Sequence, residues 1–67
     1  MNMPNPAAQV RTLGLEIGDM IEIKLIDGSV LLSTLIGIND RLGRIRTANK
    51  DGTRHYYCSN TTIVSKV

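Results

Sequence analysis

The stretch from Ile21 to Asn39 admits few folds. Ile21, Ile23 and Leu25 alternate with Glu22 and Lys24, the period-two pattern of a strand with one face in a core. Asp27-Gly28 then interrupts the run. That dipeptide predicts a two-residue type I′ hairpin, in which both positions take positive φ. A second apolar run continues to Asn39. Its faces read as Val30, Leu32, Thr34, Ile36 and Ile38 against Leu31, Ser33, Leu35 and Gly37. Both faces are apolar, so this strand expects cover on both sides over part of its length. Gly37 is the expected point of a sharp bend.

The same logic extends to both ends of the chain. Residues 1–5 read as a flexible arm. Asn5-Pro6 is a helix start, with Asn5 as N-cap and Pro6 at the first helical position. Gly14 is a stop just past Leu13, which gives a helix over residues 6–13. A flexible tail is the rival reading, because a helix this short must dock on something to persist. Strands are expected at residues 20–26, 29–38, 44–48, 53–58 and 62–67. Asn49-Lys50-Asp51-Gly52 forms a four-residue hairpin loop ending in glycine. The predicted fold is mainly β: one domain over residues 1–67, with a short helix ahead of a five-stranded, bent antiparallel barrel of SH3-like or Sm-like type over residues 19–67.

Size sharpens that picture. A 67-residue chain without Phe or Trp builds its core from Ile, Leu, Val and Met. Cores this small usually need a staple. Cys58 is the single cysteine and His55 the single histidine, so an intrachain disulfide is excluded and a four-ligand structural metal site is not expected. Oligomerisation is the staple that remains. A net charge of +2 is only weakly basic and does not by itself point to nucleic acid. With no signal-peptide pattern and no apolar run long enough to span a bilayer, a cytoplasmic protein without a membrane partner is expected.

Catalytic chemistry is not expected, and neither is a cofactor. His55 and Cys58 lie three apart on one strand and so point to opposite faces. They read as a surface histidine and a small interior cysteine rather than a dyad. Asp19, Asp27, Asp40 and Asp51 all sit at turns, where Asp is favoured for backbone reasons. The basic residues cluster in the second half. Arg44 and Arg46 share a strand face, with Arg54 near them across a hairpin. Guanidinium groups there can bind phosphate or stack on a base, or simply solvate a face. Tyr56 and Tyr57 point opposite ways, one to a core or an interface, the other free to act as a stacking platform.

Ile21, Ile23, Leu25, Asp27-Gly28, Leu31, Leu35 and Asn39 together resemble the first motif of the Sm/LSm family. The chain is most similar in feel to the bacterial RNA-chaperone branch called Hfq. The segment from Tyr57 to Val64 sits where that family carries its second motif, and the resemblance covers about residues 6 to 67. It implies a head-to-tail homo-oligomeric ring of about five to seven subunits. The interface would use Tyr56, Tyr57 and Cys58 of one subunit against Thr62, Ile63 and Val64 of the next. It also implies RNA binding, of RNA-chaperone or RNA-processing type, by two loops: Asn39, Arg41 and Gly43 in the first, Cys58, Ser59 and Asn60 in the second. Arg41 takes the base-stacking position. Gly43 stands where the family reads a base edge with Asn. Cys58-Ser59 replaces the usual basic pair, and Ser33 a common glycine. The alternative function is an SH3-like oligomeric module for protein interaction, without nucleic acid. The two differ in salt dependence, since phosphate contacts weaken as salt rises.

Overall fold

The computed structural model describes residues 4–67. Residues 1–3 of the expected arm lie outside the described residues. Its later part is not free, because the Pro4 carbonyl accepts a hydrogen bond from Gln9 Nε2 at 2.9 Å. Helix α1 spans Pro6–Leu13, and strands follow at Met20–Lys24 (β1), Val30–Asn39 (β2), Arg44–Ala48 (β3), Arg54–Tyr57 (β4) and Ile63–Lys66 (β5). All neighbours are antiparallel, in one open sheet of order β4-β3-β2-β1-β5. The expected barrel is therefore not closed by hydrogen bonds within the chain.

Chain connectivity forces this sheet to bend. Tyr57 pairs with Ile45, itself paired with Ile38, whereas Ile63 pairs with Lys24, itself paired with Val30. In a flat sheet the two ends would lie roughly 26 Å apart along β2 and roughly 19 Å apart across it, about 32 Å on the diagonal. The connector Cys58 to Thr62 reaches at most roughly 20 Å, and a turn bond from Thr62 N–H to Ser59 O at 3.1 Å shortens it further. A β-bulge interrupts β2 next to Gly37, the expected bend point. Leu35 pairs with Thr47 and Gly37 with Arg46, leaving Ile36 as the extra residue.

The bulge corrects the assignment of faces along β2. One extra residue reverses the alternation beyond it. Ile38 joins Leu31, Ser33 and Leu35 on the core side, opposite fully buried Ile45, while Gly37 passes to the outer face opposite Arg46. The core is Ala7 and Val10 of α1 with Leu15, Ile21, Ile23, Leu35, Ile45 and Val64. Cys58, expected inside, is exposed beyond the end of β4.

The two hairpins share one construction, which departs from the type I′ turn predicted for the first and keeps the turn over residues 49–52 expected for the second within a shorter loop. Leu25 N–H donates to Ser29 O and Gly28 N–H to Leu25 O, each at 2.9 Å, which leaves the three-residue loop Ile26-Asp27-Gly28. Only Gly28 there has positive φ, at 90°. A type I′ turn needs two such residues, and an L-residue at Asp27 avoids that cost by shifting to the three-residue loop with a glycine bulge. Asn49 to Thr53 repeats the pattern: Asn49 N–H meets Thr53 O at 2.8 Å, and Gly52 N–H meets Asn49 O at 3.0 Å. The loop is thus Lys50-Asp51-Gly52, three residues rather than four. Asp27 Oδ1 accepts from Ser29 N–H and Asp51 Oδ1 from Thr53 N–H, both at 2.9 Å. Those donors hold both carboxyls below the usual carboxylate range.

The helix is capped at both ends as its sequence predicts. Asn5 Oδ1 accepts from Ala8 N–H at 2.9 Å. Gly14 N–H meets Arg11 O and Leu15 N–H meets Val10 O, both at 3.1 Å. This is the paired C-terminal motif in which the residue after the glycine packs back on the helix. Buried Gln9 then ties α1 to the sheet. Its Nε2 donates to Thr62 O at 2.7 Å, and its Oε1 accepts from Val64 N–H at 2.7 Å. By contrast, Thr47 Oγ1 is buried without a partner among the described residues.

Two substitutions separate these polar groups. Gln9→Met strands the Val64 N–H and a buried carbonyl, and is expected to cost roughly 2–4 kcal/mol. Thr47→Val removes an unsatisfied hydroxyl at nearly constant shape and is expected to be neutral or to stabilise by about 1 kcal/mol. Urea unfolding at fixed protein concentration measures both.

Candidate functional site

The first candidate loop, residues 40–43, follows β2 and is held on α1 at two points. Arg11 Nε and Nη2 donate to Asp40 Oδ1 and Oδ2 at 3.1 and 2.7 Å. Hydrogen bonding to Arg11 lowers the Asp40 carboxyl from its ordinary range. Both side chains are more than half exposed, so this pair orients the loop more than it stabilises the fold. At the other end of the loop, Gly43 has φ 66°, and a Cβ there would sit 2.6 Å from the Asn5 side chain. Ala7 N–H also donates to Gly43 O at 3.4 Å.

These contacts assign roles within the loop. Asn39 is half-buried and its Oδ1 accepts from Leu42 N–H at 3.1 Å, so it shapes the turn. Gly43 is the seat for the helix cap. Arg41 is exposed at the tip, and the one ion pair among the described residues is Arg11–Asp40, which leaves the Arg41 charge uncompensated.

The second candidate loop, residues 58–62, is a small hydroxyl-braced turn. Ser59 Oγ lies 2.7 Å from Thr61 Oγ1 and accepts from Thr61 N–H at 3.2 Å. Cys58, Ser59 and Asn60 are all exposed. The loop ends at buried Thr62, whose carbonyl Gln9 holds. Both candidate loops are therefore anchored on the same helix, one through Asn5 and Arg11, the other through Gln9.

The residues expected at a subunit contact divide by alternation. Tyr57, Thr62 and Val64 turn inward, with Tyr57 packed against the core and its phenol pushed up by burial. Tyr56, Cys58 and Ile63 are exposed. The strands themselves lie at the two edges of the sheet, so β4 and β5 each have one side without a strand neighbour, although on β5 Gln9 already takes the Thr62 carbonyl and the Val64 N–H.

A further cluster lies on the outer face of β2, β3 and β4. Register puts Asn39 beside Arg44, Gly37 beside Arg46, and Arg46 beside Tyr56. The Arg44 guanidinium carbon lies 4.8 Å from the Tyr56 ring centroid. These five residues and Ile38 line a depression of about 230 Å³. Arg54 is on the same face, opposite Ala48, but does not line it. The shared face of the three arginines is readable from strand alternation. The inclusion of Gly37 is not, because it depends on the bulge.

Among the described residues no group of three or more His, Cys, Asp or Glu is placed to hold a metal, and no helix is long and apolar enough to cross a membrane. The chain matches no family model, no curated protein and no solved structure.

The docking of the first loop is testable at one atom. Gly43→Ala adds a Cβ at positive φ and against Asn5, and is expected to cost roughly 1–3 kcal/mol. Amide exchange should accelerate at Ala7 and Ala8 while the β1–β2 ladder keeps its protection.

Proposed function

We propose that this chain is an Sm-like protein that assembles into a homo-oligomeric ring and binds single-stranded RNA through the exposed loop positions around Arg41 and Asn60. The observation that carries the reading is the pair of open sheet edges on one protomer. Two different unpaired strands on one small domain are a liability as a monomer. They become complementary when β4 of one subunit pairs with β5 of the next. A contact between two unlike surfaces propagates head to tail, and it closes into a ring when the rotation between neighbours divides a full turn. The assembly supplies the staple that a core without Phe or Trp lacks. The buried positions Ile21, Ile23 and Leu35 of the first motif are consistent with this reading.

RNA binding rests on the cations. Arg41 stands uncompensated at a loop braced on the helix, a geometry suited to stacking on a base or reaching a phosphate. The second loop offers hydrogen-bonding groups at Ser59 and Asn60 but no charge, so affinity is expected to lean on the arginines.

A protein-interaction module is the second reading. Met20, Val30, Leu32 and Ile63 are exposed on the outer face of β1, β2 and β5, an apolar surface of the kind that marks partner contacts.

Light scattering on a size-exclusion column tests the assembly. A discrete mass several times 7.4 kDa is expected, and Ile63→Asp is expected to return it to the protomer. A monomeric wild type overturns the ring. For RNA, oligo-U and oligo-A affinities measured across salt should fall as salt rises, and Arg41→Ala should flatten that slope by about one. Affinity for a protein partner that is indifferent to salt, with no RNA bound, favours the second reading.

A further inference from the structure

We infer that the depression on the outer face of β2–β4 is a second site, taking one nucleotide unit: phosphate at Arg44 and Arg46, base against the Arg44–Tyr56 stack. It rests on the RNA reading above for the source of that unit. The chemistry itself is read from the residues.

Three features converge there. The first is charge without a partner. Arg44 and Arg46 make no ion pair among the described residues, where Arg11–Asp40 is the one such pair. None of the six acidic side chains of the sequence lines the depression. Two guanidinium groups on one strand face, two residues apart, are spaced to share a phosphate group, which a guanidinium grips through paired N–H donors.

The second feature is a pre-formed aromatic stack. Tyr56 is 57% exposed, yet its ring is covered on one side by Arg44 at 4.8 Å. A guanidinium already seated over a ring loses little further freedom when a base stacks beside it, and an aromatic or guanidinium plane accepts any base.

The third is room. Gly37 carries no side chain opposite Arg46, so the Arg46 side chain can lie down against the strand there and bring its guanidinium into the lining of the depression. A Cβ there would meet Arg46 side-chain atoms at 3.3–3.5 Å. Without the bulge, Ile36 would occupy this position and fill the depression with an aliphatic side chain. With the bulge, Gly37 and not Ile36 pairs with Arg46, and Ile36 does not line the depression.

The site is also well placed for a strand. It begins at Asn39, the residue that opens the Arg41 loop, so an RNA leaving Arg41 can continue onto the outer face of the sheet. In the proposed ring, β4 is joined through its free backbone edge, while Arg44 and Arg46 lie one strand inward on β3.

The test uses amide NMR of the full-length chain, titrated with an adenylate hexamer, with adenosine monophosphate and with inorganic phosphate. Hexamer-induced shifts at Gly37, Arg44, Arg46 and Tyr56 are the expected result. Arg46→Gln should weaken hexamer binding about tenfold and lower its salt slope by about one. Tyr56→Leu should weaken it with the slope unchanged. Arg54→Gln removes the same charge from the same face outside the depression and should change affinity less than twofold. If Arg54→Gln matches Arg46→Gln, the face is diffuse charge and the site is overturned. Shifts confined to residues 40–43 and 58–62 also overturn it, while the RNA reading stands. If the monophosphate binds at the depression but the hexamer binds nowhere, the nucleotide site holds, with a free nucleotide as its source, and the RNA reading fails. Binding of none of the three probes overturns both.

Discussion

The fold depends on a bend in one strand. A five-residue connector must carry the chain from the end of β4 to the start of β5, and these lie at opposite corners of the sheet. Only a strongly curved β2 brings those corners within reach. The β-bulge at Ile36 supplies the local twist and kink. It has a second effect, because one extra residue reverses the side-chain phase of everything after it. Ile38 is thereby delivered to the core opposite Ile45, and Gly37 to the outer face opposite Arg46. The same irregularity completes the interior and hollows the exterior.

Curling the sheet leaves an interior open at one end, and α1 closes it. An eight-residue helix is too short to persist by propensity. What holds it is the burial of Ala7 and Val10 with an amide in the middle of the contact. Gln9 satisfies a carbonyl and an N–H at the start of β5 that the curled edge would otherwise bury unpaired. A buried side-chain amide is stabilising only when its partners are all in place, so Gln9 also fixes where the helix sits. The loop positions follow from that. Asn5 and Arg11 hold residues 40–43 against the helix, and Gln9 holds the end of residues 58–62. Arg41 is presented on a braced loop because a polar contact inside the core sets the helix in place.

Much of the candidate chemistry was legible in the chain. Alternation alone separates Tyr56 from Tyr57, and it puts Arg44, Arg46 and Arg54 on one face. Other parts were hidden for identifiable reasons. The bidentate partner of Asp40 is Arg11, distant in sequence, so a turn aspartate also became a loop anchor. Asn39 and Gly43 carry structural work that a motif match does not show, the first closing its own turn and the second lying under the Asn5 side chain. The expected interior place of Cys58 failed because Tyr57 takes the inward phase of β4, which leaves Tyr56 and Cys58 on the outward one.

By itself the sequence determined the elements. The helix caps at Asn5 and Gly14, the strands around Asp27-Gly28 and Asp51-Gly52, and the inward set Ile21, Ile23, Leu35 and Ile45 are all local patterns of periodicity and backbone preference. Such patterns hold whatever the chain does elsewhere. Tertiary structure decided the rest. Asp27 did not take the positive φ of a type I′ turn, because a three-residue loop met the same register at lower backbone cost. The phase of β2 beyond Leu35 changed because the strand had to bend to close the chain. The depression over Gly37 exists because that change of phase set a glycine opposite an arginine. A bulge is the response of one strand to the path of the whole chain, and a local pattern carries no trace of that path.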